Sequence, residues 1–553
     1  MAVTKSNDSP TKNFAVISPL HKHASSNSLT SGNRVLSTST NGWFGAVGSV
    51  AIRYGEKRYF EAKCLTNVRI YFGLSRVLNH NGQDIQDSAV VEGSANFDYM
   101  WRTTSADQIY YQGSNQSATV SAVSVNDIVS CTTETNGTVK FYKNGTLVHT
   151  FSTTLVDGDV YHPIFSVNGA TSTEQVQANF GSGDVTQQES GYTLLEAADL
   201  HSNDPVGIED GSAYFQATGY TGTGGANEID QSGNSTFQPD LVWLKERQGN
   251  HGTLIDAVRG GNKGIYPSLS SQGEYTESNL SFDADGFSLT TTGAAAQVNA
   301  NGNTNMGWQW LAGNGTSTPS GGSIASTVSV NQTAGFSIVS WTGSGANATI
   351  AHGLGSTPKW IIIKNRDSAQ HVVVYSSEIP NGQYLLLSDT GASSGTDGAA
   401  HFNDSQPDAT VFPVGTSTRT NGTSNAMIAW CWCEKPGFSR FGSFEGNGQS
   451  ANGPFIELGF KPAFFMWKNI DSSTNGDWTM MDNSRDPLNM VEDNLRANST
   501  MASDTGEADL DFLSNGVRHR GGTSERFNTD NQTYFYMAFA EHPFAGTSPG
   551  TAR

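Results

Sequence analysis

Long helical runs are missing from this chain. No window of about 15 residues carries a 3.6-residue apolar period, and the nearest approach, GYTLLEAADLHS from Gly191, offers only a short helix or turn. Apolar runs are short too, and none approaches the roughly 18 residues of a membrane-crossing helix, so membrane insertion is not expected. The opening MAVTKSNDSP has no apolar core of a secretory signal, so the N-x-[ST] triplets are expected to be turn residues and not glycan sites. Basic charge is scarce: 31 Lys and Arg stand against 51 Asp and Glu, a formal charge of −20, which disfavours binding to a phosphate backbone. Cysteine is scarce as well. Four in 553 residues are too few for a disulfide scaffold. Cys431 and Cys433 alternate with Trp430 and Trp432, so both thiols share one strand face, and Cys64 and Cys131 fall inside expected strands; all four read as small buried apolar groups.

What the chain has instead is glycine, serine, threonine and asparagine between short β-branched or aromatic runs, the composition of an all-β protein. One run is written three times: DLVWLKERQ from Asp240, KWIIIKNRD from Lys359 and AFFMWKNID from Ala463. Their lysines, Lys245, Lys364 and Lys468, are 119 and 104 residues apart (364 − 245 and 468 − 364), a domain spacing and not a solenoid one. An aromatic and glycine segment precedes each copy, from Phe215, Phe336 and Phe438, and an aromatic strand closes each, from Met306, Met427 and Tyr534. These segments define three β units, 213–312, 333–437 and 438–544, with linkers at 197–212 and 313–332 and a small polar tail at 545–553. Copies 1 and 3 also carry Asp256 with Arg259 and Asp482 with Arg485. Together with Lys245 and Lys468 these are expected to be partly buried ion pairs that fix each unit's loop.

The first 28 residues read as an extended attachment arm. It holds His21 and His23, which share a strand face and would offer six imidazoles to one metal ion in a threefold assembly; a solvated pair is the plainer reading, and no cofactor is expected. Residues 29–196 suggest one sandwich, with a double hairpin whose turns are Asn136-Gly137 and Asn144-Gly145. The YFE strand at Tyr59, FGLS at Phe72, NGTVKFYKNGTLV from Asn136, PIFSV from Pro163, ANFG from Ala178 and the GYTLL tail resemble a SPRY domain. That resemblance implies a bent β-sandwich that binds partners through loops on one face and is not an enzyme. Tyr99, Trp101, Arg102 and Tyr111 are candidates for that loop face, with core packing as the competing reading.

The threefold strand set, with IDAVRG, FDADGFSL and MGWQW in copy 1, is similar to a β-rich domain of tail-fibre-like proteins of marine bacteriophages. The resemblance implies a virion protein, assembled in the host bacterial cytoplasm, that adheres to a host surface glycan or protein. Its arm would bind other virion proteins, and a homotrimer is the expectation that fibres carry. A structural virion part that binds other virion proteins, a head decoration, head fibre or tail component, is the first alternative, and a tailspike depolymerase the second.

Motifs for chemistry are weak. Gly391-Ala-Ser393-Ser-Gly395 fits a nucleophile elbow in letters, but a helix must follow and the sequence there reads as loop. Asp283 and Asp285, like Asp509 and Asp511, lack the other ligands of a calcium loop. No catalytic residues are assigned.

Overall fold

The computed structural model describes residues 17–22, 28–30, 34–39, 43–48, 50–66, 69–76, 98–103, 107–116, 118, 120–156, 159–169, 173–180, 191–195, 208, 210–276, 280–290, 297–392, 397–449, 453–472, 476–506, 509–521, 524 and 526–543. They form two compact units divided between residues 205 and 206. The fold is all-β, as the composition implies; the described helices are short, Gly398–Phe402, Thr418–Asn421 and a single 3₁₀ turn at Gly211–Ala213.

In the first unit two sheets face each other. One runs in spatial order Ile17–Lys22, Trp43–Gly48, Val160–Asn168, Ile70–Ser75, Tyr99–Thr103, Gln108–Tyr111, Ser114–Asn115. The other runs Thr146–Thr150, Val139–Lys143, Ile128–Thr133, Arg58–Cys64, Glu174–Asn179, Val35–Thr38, Ser28–Thr30. Alternation sends Phe72 and Phe165 of the first sheet inward against Phe60, Phe141 and Phe180, with ring centroids 5.1 to 6.2 Å apart. Asn144 and Gly145 both adopt positive φ (47° and 77°), the turn that joins two strands of matching twist.

Two boundaries differ from the sequence reading. The strand Ile17–Lys22 pairs with Trp43–Gly48, so the expected arm ends inside the sandwich; residues 1–16 and 23–27 lie outside the described residues. Where a short helix or turn was expected after Gly191, Thr193–Leu194 pairs in parallel with Arg58–Tyr59, a stretch that Glu174–Asn179 leaves unpaired because it stops at Glu61; the ladder satisfies backbone groups that an isolated helical turn would not hold.

The second unit contains the three copies, and each is a large sheet backed by a small one. In copy 1, β1 (Phe215–Thr221), β2 (Leu241–Glu246), β3 (Thr253–Asp256) and β4 (Thr304–Trp310) lie in the order β1-β4-β2-β3. In copy 2, β5 (Ser326–Asn331), β6 (Phe336–Thr342), β7 (Trp360–Asn365), β8 (Val373–Ser376) and β9 (Ala426–Trp432) lie in the order β5-β6-β9-β7-β8. In copy 3, β10 (Ser439–Glu445), β11 (Phe460–Asn469), β12 (Thr479–Asp482) and β13 (Thr533–Pro543) lie in the order β10-β13-β11-β12. The register makes the copies superposable: Phe215, Trp310, Leu241 and Asp256 lie side by side, as do Phe336, Trp432, Trp360 and Ser376, and Ser439, Phe539, Phe464 and Asp482.

In copies 1 and 2 strand alternation then divides the large sheet between two cores, whereas Phe464, Phe465, Met466 and Trp467 of copy 3 all join one. In β7, Trp360 and Ile362 enter a core shared by all three copies, while Ile361 and Ile363 pack toward copy 2's own small sheet. In β2, Leu241 and Trp243 enter the shared core and Val242 and Leu244 the local one. The chain therefore forms three sandwiches around one aromatic centre. The segment 313–332 is not a linker, because β5 lies in it and pairs with β6 from Phe336 to Trp341. The proposed tail 545–553 lies outside the described residues.

Candidate functional site

The seams between copies hold the polar residues that the sequence singled out. At the seam of copies 2 and 1, Trp430 donates its indole N–H to Asp256 Oδ2 at 3.2 Å. Arg259 Nε donates to the same oxygen at 2.6 Å, its Nη2 donates to the Leu254 carbonyl at 3.0 Å, and its guanidinium lies 5.5 Å from the Trp430 ring centre. The seam of copies 1 and 3 repeats this: Trp308 donates to Asp482 Oδ2 at 3.2 Å, Arg485 Nε donates to that oxygen at 2.8 Å, and Arg485 Nη2 donates to the Met480 carbonyl at 3.0 Å. Both carboxylates are fully buried. At the third seam the register places Met537 where the tryptophan stood, Ser376 where the aspartate stood and, three residues on, Ile379 where the arginine stood. Tryptophan, aspartate and arginine have been exchanged together for groups that need no counter-charge.

The expected ion pairs Asp256–Arg259 and Asp482–Arg485 are present, but Lys245 and Lys468 are not part of them. Lys245 Nζ donates to the carbonyls of Asn250 (2.6 Å) and, across the seam, Ser499 (2.5 Å); Lys468 Nζ donates to its own Asn469 carbonyl and, across the next seam, to that of Thr390, both at 2.9 Å. Lys364 donates to the Gln370 carbonyl. Burial pushes each of the three amines down to about 8. Strand periodicity marks these lysines as facing the core, but gives no sign that carbonyls receive them.

Two Ser–His pairs sit at matched places, His251 Nδ1 2.7 Å from Ser268 Oγ and His371 Nδ1 2.9 Å from Ser388 Oγ. In copy 3 the corresponding tie is Asn498 Nδ2 to Asp477 Oδ1 at 2.7 Å, which supplies no nucleophile. All three tie one loop to another. Ser393 lies outside the described residues, and the segment after it does contain a helix, Gly398–Phe402, where loop was expected. Asp283 accepts from Ser288 Oγ within its hairpin, and Asp511 meets Arg520. Among the described residues no three His, Cys, Asp or Glu side chains gather as a metal site; His21 lies in a strand whose side chain is not described, and His23 lies outside.

Of the candidate loop-face residues, Tyr99 and Trp101 are core residues. Trp101 is fully buried and stacks on Phe141 at 6.1 Å; Tyr99 meets Phe151 at 5.0 Å and Tyr111 at 5.2 Å. Arg102 is buried over the Tyr110 ring, and Tyr111 alone is half-exposed. Tyr99 and Trp101 are two apart on a strand and share its inward face.

A cleft of about 320 Å³ opens at the seam of copies 1 and 3. The edge strand β1 forms one wall through Phe215 and Ala217; Ala463, Asn483, Ser484 and Glu541 of copy 3 form the other. Asn483 Nδ2 donates to Glu541 Oε2 at 2.8 Å, and Lys461 Nζ lies 3.3 Å from that oxygen. No sequence motif announced the cleft, because its walls meet only when the ring closes.

Residues 57–183 match the SPRY domain family, and residues 210–543 match a family described as "Domain of unknown function (DUF7483)". Among solved structures, the SPRY domain of human HERC1 is 17% identical, with 29% of this chain and 96% of that chain covered and a TM-score of 0.24. A human SPRY domain is 16% identical over 30% of this chain and 97% of its own, with a TM-score of 0.23, and the TRIM65 PSpry domain is 10% identical over 30% and 90%, with a TM-score of 0.24. No curated protein matches the chain.

Proposed function

The chain belongs to the DUF7483 family, and from that premise we propose that it is a non-enzymatic binding protein of a bacteriophage virion, of the tail-fibre or receptor-binding class. It would hold a host surface glycan or protein through β-domain loops. The observation that carries this reading is the ring itself: three copies of one sandwich share a single core, and the recurring charged residues are spent inside its seams. A scaffold written three times presents several loop sets at once, which suits adhesion by many weak contacts better than one catalytic centre. The SPRY sandwich adds a second binding module in the same chain. A structural virion part is the second reading, favoured by the open cleft beside β1, which a neighbouring subunit could fill.

The test is binding of the labelled protein to candidate host cells, beside a variant lacking residues 1–16, which leaves the strand from Ile17 in place. Binding by both, with competition against phage adsorption, supports adhesion and makes the removed residues the virion anchor. If neither binds while the full chain still attaches to particles that lack it, the protein is a structural part.

A further inference from the structure

The three large sheets end on three different edges. In copy 2 the edge strand β6 is covered by β5, which pairs from Ser326 opposite Trp341 to Asn331 opposite Phe336. In copy 3 the outward N–H of Phe441, on β10, is taken by the Glu434 carboxylate at 3.3 Å. In copy 1 the edge strand β1 has no strand beside it, and among the described residues none takes the outward N–H of Ala217, which stands where Phe441 does in copy 3.

Its free side can be identified. Leu311 N–H donates to the Tyr214 carbonyl and Gly222 N–H to the Asn303 carbonyl, so even-numbered residues of β1 bond β4 and odd-numbered ones face away. Gly219 shows that direction by donating to Ser484 Oγ at 3.2 Å. Ala217 is the next outward residue, and it lies in the cleft. By register Ala217 corresponds to Ile338 of β6, whose partner is Ser329 of β5.

The opposite walls correspond as well. Ser329 Oγ lies 3.4 Å from Asp240 Oδ1, and Asp240 occupies in copy 1 the place that Ala463 occupies in copy 3, each just before the residue that pairs with the seam aspartate. Ala463 lines the cleft. The cleft is thus the counterpart, one seam around the ring, of the groove that β5 fills. We propose that it is a strand-acceptor site, in which an extended segment of another polypeptide, with small side chains as in β5, adds to β1 by backbone hydrogen bonds. The alanines at 217, 463 and 540 leave room for a backbone and small side chains between the walls. This inference stands whether or not the chain is an adhesin.

The probe is a fluorescent peptide with the β5 sequence, residues 324–332 (IASTVSVNQ), titrated against the full chain. Saturable binding is expected, with slowed hydrogen exchange at the Ala217 amide. Ala217→Pro removes the outward donor without touching the β1–β4 ladder and should weaken binding about tenfold or more, which is 1.4 kcal/mol or more. Asn234→Trp, at an exposed cleft residue, should block it sterically if the proline variant fails to fold. A peptide that does not bind, or binds equally to both variants, overturns the proposal. So does binding that appears only after residues 544–553 are removed, which would assign the groove to the chain's own tail. Dimerisation abolished by Ala217→Pro would assign it to a second copy and also overturn it.

Discussion

The indole of Trp430 and the carboxylate of Asp256 are 174 residues apart in sequence and 3.2 Å apart in space, and Trp308 and Asp482 repeat both values from the other side of copy 1. Each tryptophan reaches backward or onward into the next copy in the same rotational sense, so the copies contact head to tail and the third seam closes the circle. Removing one member of a buried charged set leaves its partner uncompensated. Asp256→Ala should therefore destabilise the second unit by up to about 3–5 kcal/mol, as Arg259 is left with Glu274 alone, whose Oε2 is 3.4 Å from its Nη1. The triple change Asp256→Ser, Arg259→Ile, Trp430→Met copies the third seam and should cost less than the single one. Denaturant titration of the three proteins checks the order.

The buried lysines make stability rise with pH. Each amine has a folded value of about 8 against 10.5 when free, so the unfolded chain binds more protons between those values. The lysines' contribution is lowest below about 8 and increases toward 10.5, by up to about 3 kcal/mol per lysine. Lys364→Met should reduce the gain between pH 7.5 and 9.5, measured by chemical denaturation at both values.

His519 governs the acid side. It is buried between Phe444 (5.1 Å) and Trp467 (5.6 Å), neither ring nitrogen has a hydrogen-bond partner among the described residues, and burial pushes it down to about 3. The unfolded histidine takes up a proton below about 6.5 while the folded one stays neutral, so stability is full above 6.5 and drains as pH falls toward 3, by up to about 4–5 kcal/mol. His519→Phe should flatten that limb in a thermal-melt series from pH 7 to 4.

All four thiols are buried, and burial pushes Cys64 up to about 12 and raises Cys131, Cys431 and Cys433 as well. A thiol-specific dye should leave the native chain unmodified and label four cysteines in denaturant.

Much of this was legible in the residues. The unbroken apolar run in KWIIIKN, with lysines at matched places, marks three copies of a buried strand, and the NG turns mark the hairpins of the first sandwich. What escaped depends on partners distant in sequence. The strand β5 follows GNGTSTPSGGS, whose turn chemistry hides the STVSVN alternation behind it. Ile17–Lys22 contains a proline and a lysine and becomes a strand only because an edge was open beside it. The aspartate–arginine pairs could be read as local, but not that a tryptophan of another copy completes each. Tyr99 and Trp101 looked like a recognition surface because aromatic residues serve both recognition and packing, and burial alone separates the two.

The central structural claim is that three copies form one cooperative ring and not three separate domains. Native-state hydrogen exchange of the full chain tests it, read at the shared-core strands β4, β9 and β13. The account predicts the same opening free energy in all three, and an equal fall in all three on Asp256→Ala, although that residue touches only one seam. Protection that differs from copy to copy, or a fall confined to β3 and β9, would contradict it.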